Sequence, residues 1–333
     1  MSIRPEPKLP ISIVAEFLGI TKQALHKQLA NKGLKAPILG NKAYINHTIA
    51  RQLFNISFKK KVIAGEIVKG GTGKTTTIDH ISCCSNAFGA KVLVIDTDPQ
   101  GNLTDLYNID PDEHPALIDI LKDQIPIQDA IINVSPGLDI LPSRIENVVI
   151  DSTIVYDHLD IRNFYNNILE DVINNYDFIF IDCPPTLSQA VTATSLFADV
   201  IIAPLNPDKF SSKGLDILKS EIIKLRKNFK KDIDFKVFLN KFSNKTILSG
   251  KTVMTLLSDP GLEEHILSTS IQYSQEIPNL ASQNKNVFLN LKKSAIRDDF
   301  CLLTLELLNF SKDDVFKNHE TILDIESTAE LIV

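Results

Sequence analysis

The sequence predicts an α/β chain, a doubly wound and mainly parallel sheet preceded by a smaller basic domain of short helices. Three observations carry that expectation. Short apolar runs end in glycine or aspartate and are separated by helical stretches, the pattern of parallel strands buried on both faces. A glycine-rich loop lies between the first of these runs and a helix, which is how α/β folds build an anion site. Charge is also divided along the chain. Eleven lysines and arginines stand against Glu6 and Glu16 in residues 1–61, a surplus of nine, while the whole chain carries -6, so the remainder has fifteen more acids than bases. At 333 residues the chain is too long for one typical domain and comfortable for two. The expected divisions are a basic domain over 1–60, an α/β body over 61–310 and an acidic tail over 311–333.

Several classes are excluded at the outset. No apolar run reaches the roughly 20 residues that span a bilayer, and the N-terminus lacks the apolar stretch of a signal peptide, so a cytoplasmic protein is expected. Cys83, Cys84, Cys183 and Cys301 have no metal-ligand spacing and read as small core hydrophobes in a reducing compartment.

In the basic segment, Ile11, Val14, Ala15 and Leu18 share one helical face, and Gly19 ends the run. Thr21 can cap a second helix in which Ala24, Leu25 and Leu29 recur up to Gly33. Its exposed positions, Lys22, Gln23, His26, Lys27 and Gln28, are donors suited to phosphates and base edges. Ala36 to Tyr44, with Pro37 and a Gly40-Asn41-Lys42 turn, reads as a β-wing, and Ile45 to Phe54 as a third helix. Two helices on a tight turn, followed by a wing, predict a winged helix-turn-helix. The segment resembles DNA-binding domains of the MerR and excisionase type, with Ala15, Gly19, Ile20, Thr21 and Leu25 in matching places.

The body opens with an apolar run from Val62 to Val68, then Lys69-Gly70-Gly71-Thr72-Gly73-Lys74-Thr75-Thr76 and a helix. Glycines let backbone N–H groups approach phosphate oxygens, and the helix N-terminus adds its dipole. Lys74 would reach the β- and γ-phosphates, and the Thr75 hydroxyl would complete a Mg²⁺ shell. The common P-loop pattern needs glycine at position 68, where Val68 stands; an extra lysine, Lys69, sits at the loop mouth instead. Lys91 to Asn102 then reads as a buried strand ending in Asp96 and Asp98, and Asp177 to Pro185 as another ending in Asp182.

Together these boxes resemble the deviant Walker A ATPases of the ParA/MinD family, over roughly residues 61–310. The resemblance implies a P-loop NTPase fold, ATP and Mg²⁺ as cofactors, and a homodimer in which Lys69 reaches the partner subunit's nucleotide. Gly70, Gly71, Thr72, Gly73, Lys74, Thr75 and Thr76 would cradle the phosphates. Asp98 would position the attacking water, Asp96 would lie beside the Mg²⁺, Asp182 would hold that ion, and Asn240, in Phe238-Leu239-Asn240-Lys241, would read the adenine edge. Two departures are visible: Ile67 and Val68 replace residues that are often polar, and Gln272 stands where arginine is common.

Eight lysines and arginines against Asp216 and Glu221 fall between Lys209 and Lys231. Counterion release grows with each phosphate neutralised, so the patch is expected to grip DNA of any sequence, with Lys227, Lys230 and Lys231 foremost. Lys213, Lys219, Lys224 and Arg226 are further candidates, with Lys241, Lys245 and Lys251 behind them. The acidic tail argues against the basic membrane helix of septum-positioning relatives. The resemblance thus implies a nucleoid-associated, ATP-dependent partitioning ATPase, stimulated by a ParB-type centromere-binding protein and repressing its own operon through the winged helix. The alternatives are a nucleotide-gated transcriptional repressor with incidental hydrolysis and a positioner of protein cargo.

Overall fold

The computed structural model describes residues 3–243, 259 and 261–315. Lys245, Lys251 and tail residues 316–333 lie outside the described residues.

The chain begins with β1 (Lys8–Pro10), α1 (Ile11–Leu18) and α2 (Lys22–Asn31). Gly19, at φ 68, returns its N–H to the carbonyls of Ala15 and Glu16, a left-handed stop that glycine adopts without a Cβ penalty. The Thr21 hydroxyl then accepts from the N–H of Ala24 at 3.1 Å, starting α2. A hairpin follows, β2 (Ile38–Leu39) and β3 (Lys42–Asn46), with β1 completing a three-stranded sheet in the order β1-β3-β2. Helix α3 (His47–Phe54) starts two residues later than the periodicity suggests, because Ile45 pairs with Leu9 across β1 and β3 and is used as strand.

The body is a seven-stranded sheet with helices on both faces. Its strands are β4 (Lys61–Gly65), β5 (Val92–Asp96), β6 (Ile132–Ser135), β7 (Leu138–Leu141), β8 (Phe178–Asp182), β9 (Val200–Leu205) and β10 (Asp234–Leu239). They lie in the order β10-β9-β4-β8-β5-β7-β6, all parallel except β6, which runs antiparallel to β7. The central strands are buried on both faces, which accounts for their unbroken Val, Ile and Phe runs. Register places Gly65 opposite Asp182, and Asp182 opposite Asp96, so three chain ends meet at one edge. Helix α4 (Lys74–Ala87) leaves that edge directly behind the glycine loop.

Composition changes near residue 60, but the hydrophobic core does not stop there. Leu9, Val14, Leu25 and Phe54 belong to the same buried cluster as Ile78, Cys84 and Phe300. Arg4 and Asp79 form a buried ion pair at 2.7 Å, joining the N-terminal segment to α4. Burial alone would push the Asp79 carboxyl up, but Arg4, His80 and bonds from Arg4 and Asn286 outweigh it and hold it low. Two glycines let the body approach α3. A Cβ on Gly89 would stand 2.6 Å from the Arg51 nitrogen, and one on Gly137 would stand 2.2 Å from His47 Cε1. Cys83, Cys84, Cys183 and Cys301 are all buried, as small core side chains. Among the described residues no helix is long and apolar enough to cross a membrane.

Candidate nucleotide site

The glycine loop, with Gly71 at φ 75 and Gly73 at φ 101, turns its backbone toward a cleft of about 730 Å³ at the carboxyl edge of the sheet. Gly70, Lys74, Thr75 and Thr76 line one wall, and Asp98 faces the same space. The Thr72 side chain is fully buried, and its hydroxyl has no hydrogen-bond partner among the described residues.

Beneath the loop, Thr75 Oγ1 donates to Asp182 Oδ2 at 2.7 Å, while the buried Asp182 Oδ1 has no hydrogen-bond partner among the described residues. Burial, then the neighbouring Asp96, pushes the Asp182 carboxyl well above the usual carboxylate range. A bare buried oxygen beside a threonine hydroxyl is what a hard divalent cation needs from a protein, with phosphate oxygens and water completing the shell. Lys74 Nζ reaches the Lys69 carbonyl at 3.3 Å, folded within the loop. Burial lowers its ammonium, opposed chiefly by Asp182.

Asp96 does not offer an oxygen to this space. Its Oδ2 accepts from the N–H and hydroxyl of Thr104, and its Oδ1 from the N–H of Asp98. Burial raises this carboxyl to about 7 in spite of those bonds. The aspartate fastens the loop after β5 to α5 (Asn102–Leu106), from a position paired with Asp182 across the strands. Asp98 is held by the same loop: its Oδ1 accepts from the Gln100 N–H at 3.0 Å, and its carbonyl from Ser143 Oγ at 2.7 Å. Thr104 and Ser143 were not singled out from the sequence. The Gly101-Asn102 helix start, three to four residues past Asp98, is the available signal.

Asn240 also lies in the cleft, but its Nδ2 donates to the Thr72 carbonyl at 2.6 Å and packs against Gly73. Its amide nitrogen is used by the glycine loop in this state and not held out for a base. Ile277, Pro278 and Ala281, from the helix Glu276–Ala281, form a further wall that sequence reading missed, with exposed Gln272 and Tyr273 beside it. Lys69 Nζ lies 2.6 and 2.8 Å from the two oxygens of Asp208, in the turn after β9.

The cationic surfaces are elsewhere. Lys22, Gln23, His26 and Lys27 are exposed along α2. In the helix Lys209–Phe229 and the turn after it, Lys213, Lys224, Lys227 and Lys230 are exposed, while Lys219 pairs with Asp259 at 2.7 Å and Arg226 Nε caps the Ile233 carbonyl at 3.1 Å. Lys231 corrects the expectation for this patch: its ammonium turns inward to the carbonyls of Leu196 and Ala198. Those carbonyls end the helix Gln189–Phe197, where the helix dipole is negative and a cation is stabilised.

A profile described as an AAA domain matches residues 60–235. The chain is 28% identical over 257 residues to a ParA family protein of Chlamydia muridarum, covering 76% of this chain and 99% of that one. It is 32% identical over 176 residues to the sporulation initiation inhibitor protein Soj of Bacillus subtilis, covering 52% of this chain and 69% of that one. Its fold matches a putative plasmid partition protein of Borrelia burgdorferi bound to AMPPNP, at TM-score 0.61 and 22% identity, over 75% of this chain and 99% of that one. With the lysine pair, the threonine–aspartate contact and these matches together, the chain belongs to the ParA/MinD family of ATPases.

Proposed function

We propose that the protein is an ATP-dependent DNA-partitioning ATPase that dimerises on ATP and holds DNA until a ParB-type centromere-binding partner stimulates hydrolysis. The observation that carries the reading is the bare Asp182 Oδ1 beside Thr75, directly under a loop with lysines at both ends. Bound Mg²⁺ would neutralise charge on the β- and γ-phosphate oxygens. The residues around it do the rest. Backbone N–H groups of Gly70 to Thr76 cradle the phosphates, and Lys74 leaves the Lys69 carbonyl to meet them. Asp98, whose carbonyl accepts from Ser143 Oγ, orients the attacking water. Lys69 leaves Asp208 and reaches the partner subunit's nucleotide when two copies close. The exposed face of α2, in a winged helix-turn-helix, reads an operator through Lys22, Gln23, His26 and Lys27, and the protein represses its own operon. Lys227 and Lys230 grip DNA of any sequence, which makes the protein nucleoid-associated.

One observation favours the nucleotide-gated repressor as a second reading: the N-terminal segment is joined to the glycine-loop helix through the Arg4–Asp79 pair. An ATP-hydrolysis assay with DNA, with the product of the neighbouring gene, and with both, separates the two. Partition predicts strong stimulation by the pair together. Turnover that no combination raises, alongside sharp operator binding, rejects partition in favour of repression.

A further inference from the structure

A second cleft, of about 540 Å³, opens between the N-terminal segment and the body, and its walls come from both. Lys22 and His26 of α2 and Lys42 of the hairpin line one side, and Lys292 and Lys293 of the body line the other. All five are exposed. Glu16 and Asp298 line the cleft too, so its lysines outnumber its acids by four to two.

A pair of exposed lysines on a loop is ordinarily a solvated surface, but this loop is held rigidly. The buried Arg297 guanidinium donates to the carbonyls of Val287, Asn290 and Lys292 at 2.6–3.0 Å. Its five fixed donors match a tight turn that lacks backbone partners of its own. Asn290 Oδ1 accepts from the Lys292 N–H at 2.8 Å and fixes the turn from inside. From the other side, Lys42 Nζ donates to the Leu291 carbonyl at 2.7 Å, tying the hairpin to the same turn. The two walls therefore keep a set separation, and cations on both face one open trough. An open trough with spaced cations suits a phosphate backbone running past it more than a small enclosed anion.

We propose that Lys292 and Lys293 contact backbone phosphates of the same duplex that α2 reads, so the operator surface is built jointly by the N-terminal segment and the ATPase body. This rests on the helix-turn-helix reading given above. Phosphate contacts fix the register of a protein on DNA, and base contacts specify sequence. Lys292 and Lys293 thus set how α2 lies on the duplex without choosing its sequence.

The test uses the full chain with ADP bound and a duplex that the unaltered chain selects from a random-sequence pool. Binding is measured by fluorescence anisotropy at several salt concentrations. The Lys292→Gln/Lys293→Gln variant should bind the selected duplex at least about tenfold more weakly, with the slope of log affinity against log salt reduced by about two and the preference over scrambled DNA kept. Its ATP turnover without DNA should match the unaltered chain, since neither side chain touches the nucleotide cleft. Lys22→Gln/His26→Gln should weaken binding and also lose the preference. If the Lys292/Lys293 variant keeps its affinity and slope while the Lys22/His26 variant loses both affinity and preference, the composite surface is wrong and the helix-turn-helix reading stands. Should no duplex be enriched, or the Lys22/His26 variant keep its preference, the helix-turn-helix reading fails and the composite surface with it.

Discussion

Asp182 has one oxygen engaged and one bare because strand register sets it opposite Gly65, while Thr75 opens the helix that follows the loop. Lys74 and Asp98 have separable tasks around that point. Lys74→Gln should abolish ATP hydrolysis and most nucleotide affinity, whereas Asp98→Ala should keep ATP and fail to cleave it. Equilibrium binding of a fluorescent ATP analogue beside a phosphate-release assay checks both. Loss of ATP affinity in Asp98→Ala would reassign Asp98 to the phosphates. Glu66 gives a pH prediction. Fully buried and hydrogen-bonded by Ser195 Oγ at 2.8 Å, its carboxyl is raised by burial to about 7. The folded state therefore holds a proton that the unfolded chain releases from about pH 4.5 upward. The resulting stabilisation is present below that pH and is lost as pH rises toward 7, at roughly 1.4 kcal/mol per unit. Glu66→Gln, which cannot ionise, should gain stability relative to the unaltered chain across pH 5–7 in urea titrations; a constant difference would mean that Glu66 does not titrate there. The loop lysines, Thr75, Asp98 and Asp182 were legible because their spacing is local. Which way Asn240 and Lys231 turn was not, since each is decided by partners far away in the chain, Thr72 and the end of the helix Gln189–Phe197; Asp96 turns to Thr104 eight residues on, a hydroxyl whose direction no local spacing reveals.

At the scale of elements, period and punctuation fixed most of the order. Gly19 and Thr21 bound the first two helices, and the apolar runs became β4, β5, β8 and β9. Two features were illegible. The helix Glu276–Ala281, which walls the nucleotide cleft, has no apolar period and becomes visible only through what it packs against. The docking of α3 onto the body depends on Gly89 and Gly137, which make room for that segment and carry no local signal of it. Gly137→Ala should cost roughly 1–3 kcal/mol in denaturant unfolding, from the Cβ clash with His47 and from φ 71. Adding His47→Ala should recover the steric part, a coupling that a double-mutant cycle measures. Additive losses would show that the two segments do not press on each other.

For the molecule as a whole, the charge division pointed to one cationic surface and the local run from Lys209 to Lys231 to a second, which exposure narrows to fewer side chains than composition suggested. Lys227→Glu/Lys230→Glu should lower ATP-dependent binding to random DNA and reduce its salt slope by about two, leaving operator preference intact. Gel-shift titration at several salt concentrations checks this, and an unchanged slope would remove the patch from the DNA reading. Deleting residues 1–60 is the wrong instrument for separating the surfaces, because it would strip the shared core. That core has a further consequence, in time. Phe17 packs against Phe310 with ring centroids 5.3 Å apart, and Phe58 against the same ring at 5.5 Å. At ordinary rates of synthesis, roughly fifteen to sixty seconds separate the emergence of those partners from the ribosome. Until then Phe17 and Phe58 have only their earlier partners Phe54, Phe88 and Phe178 against them, and the shared core is completed when that last ring arrives.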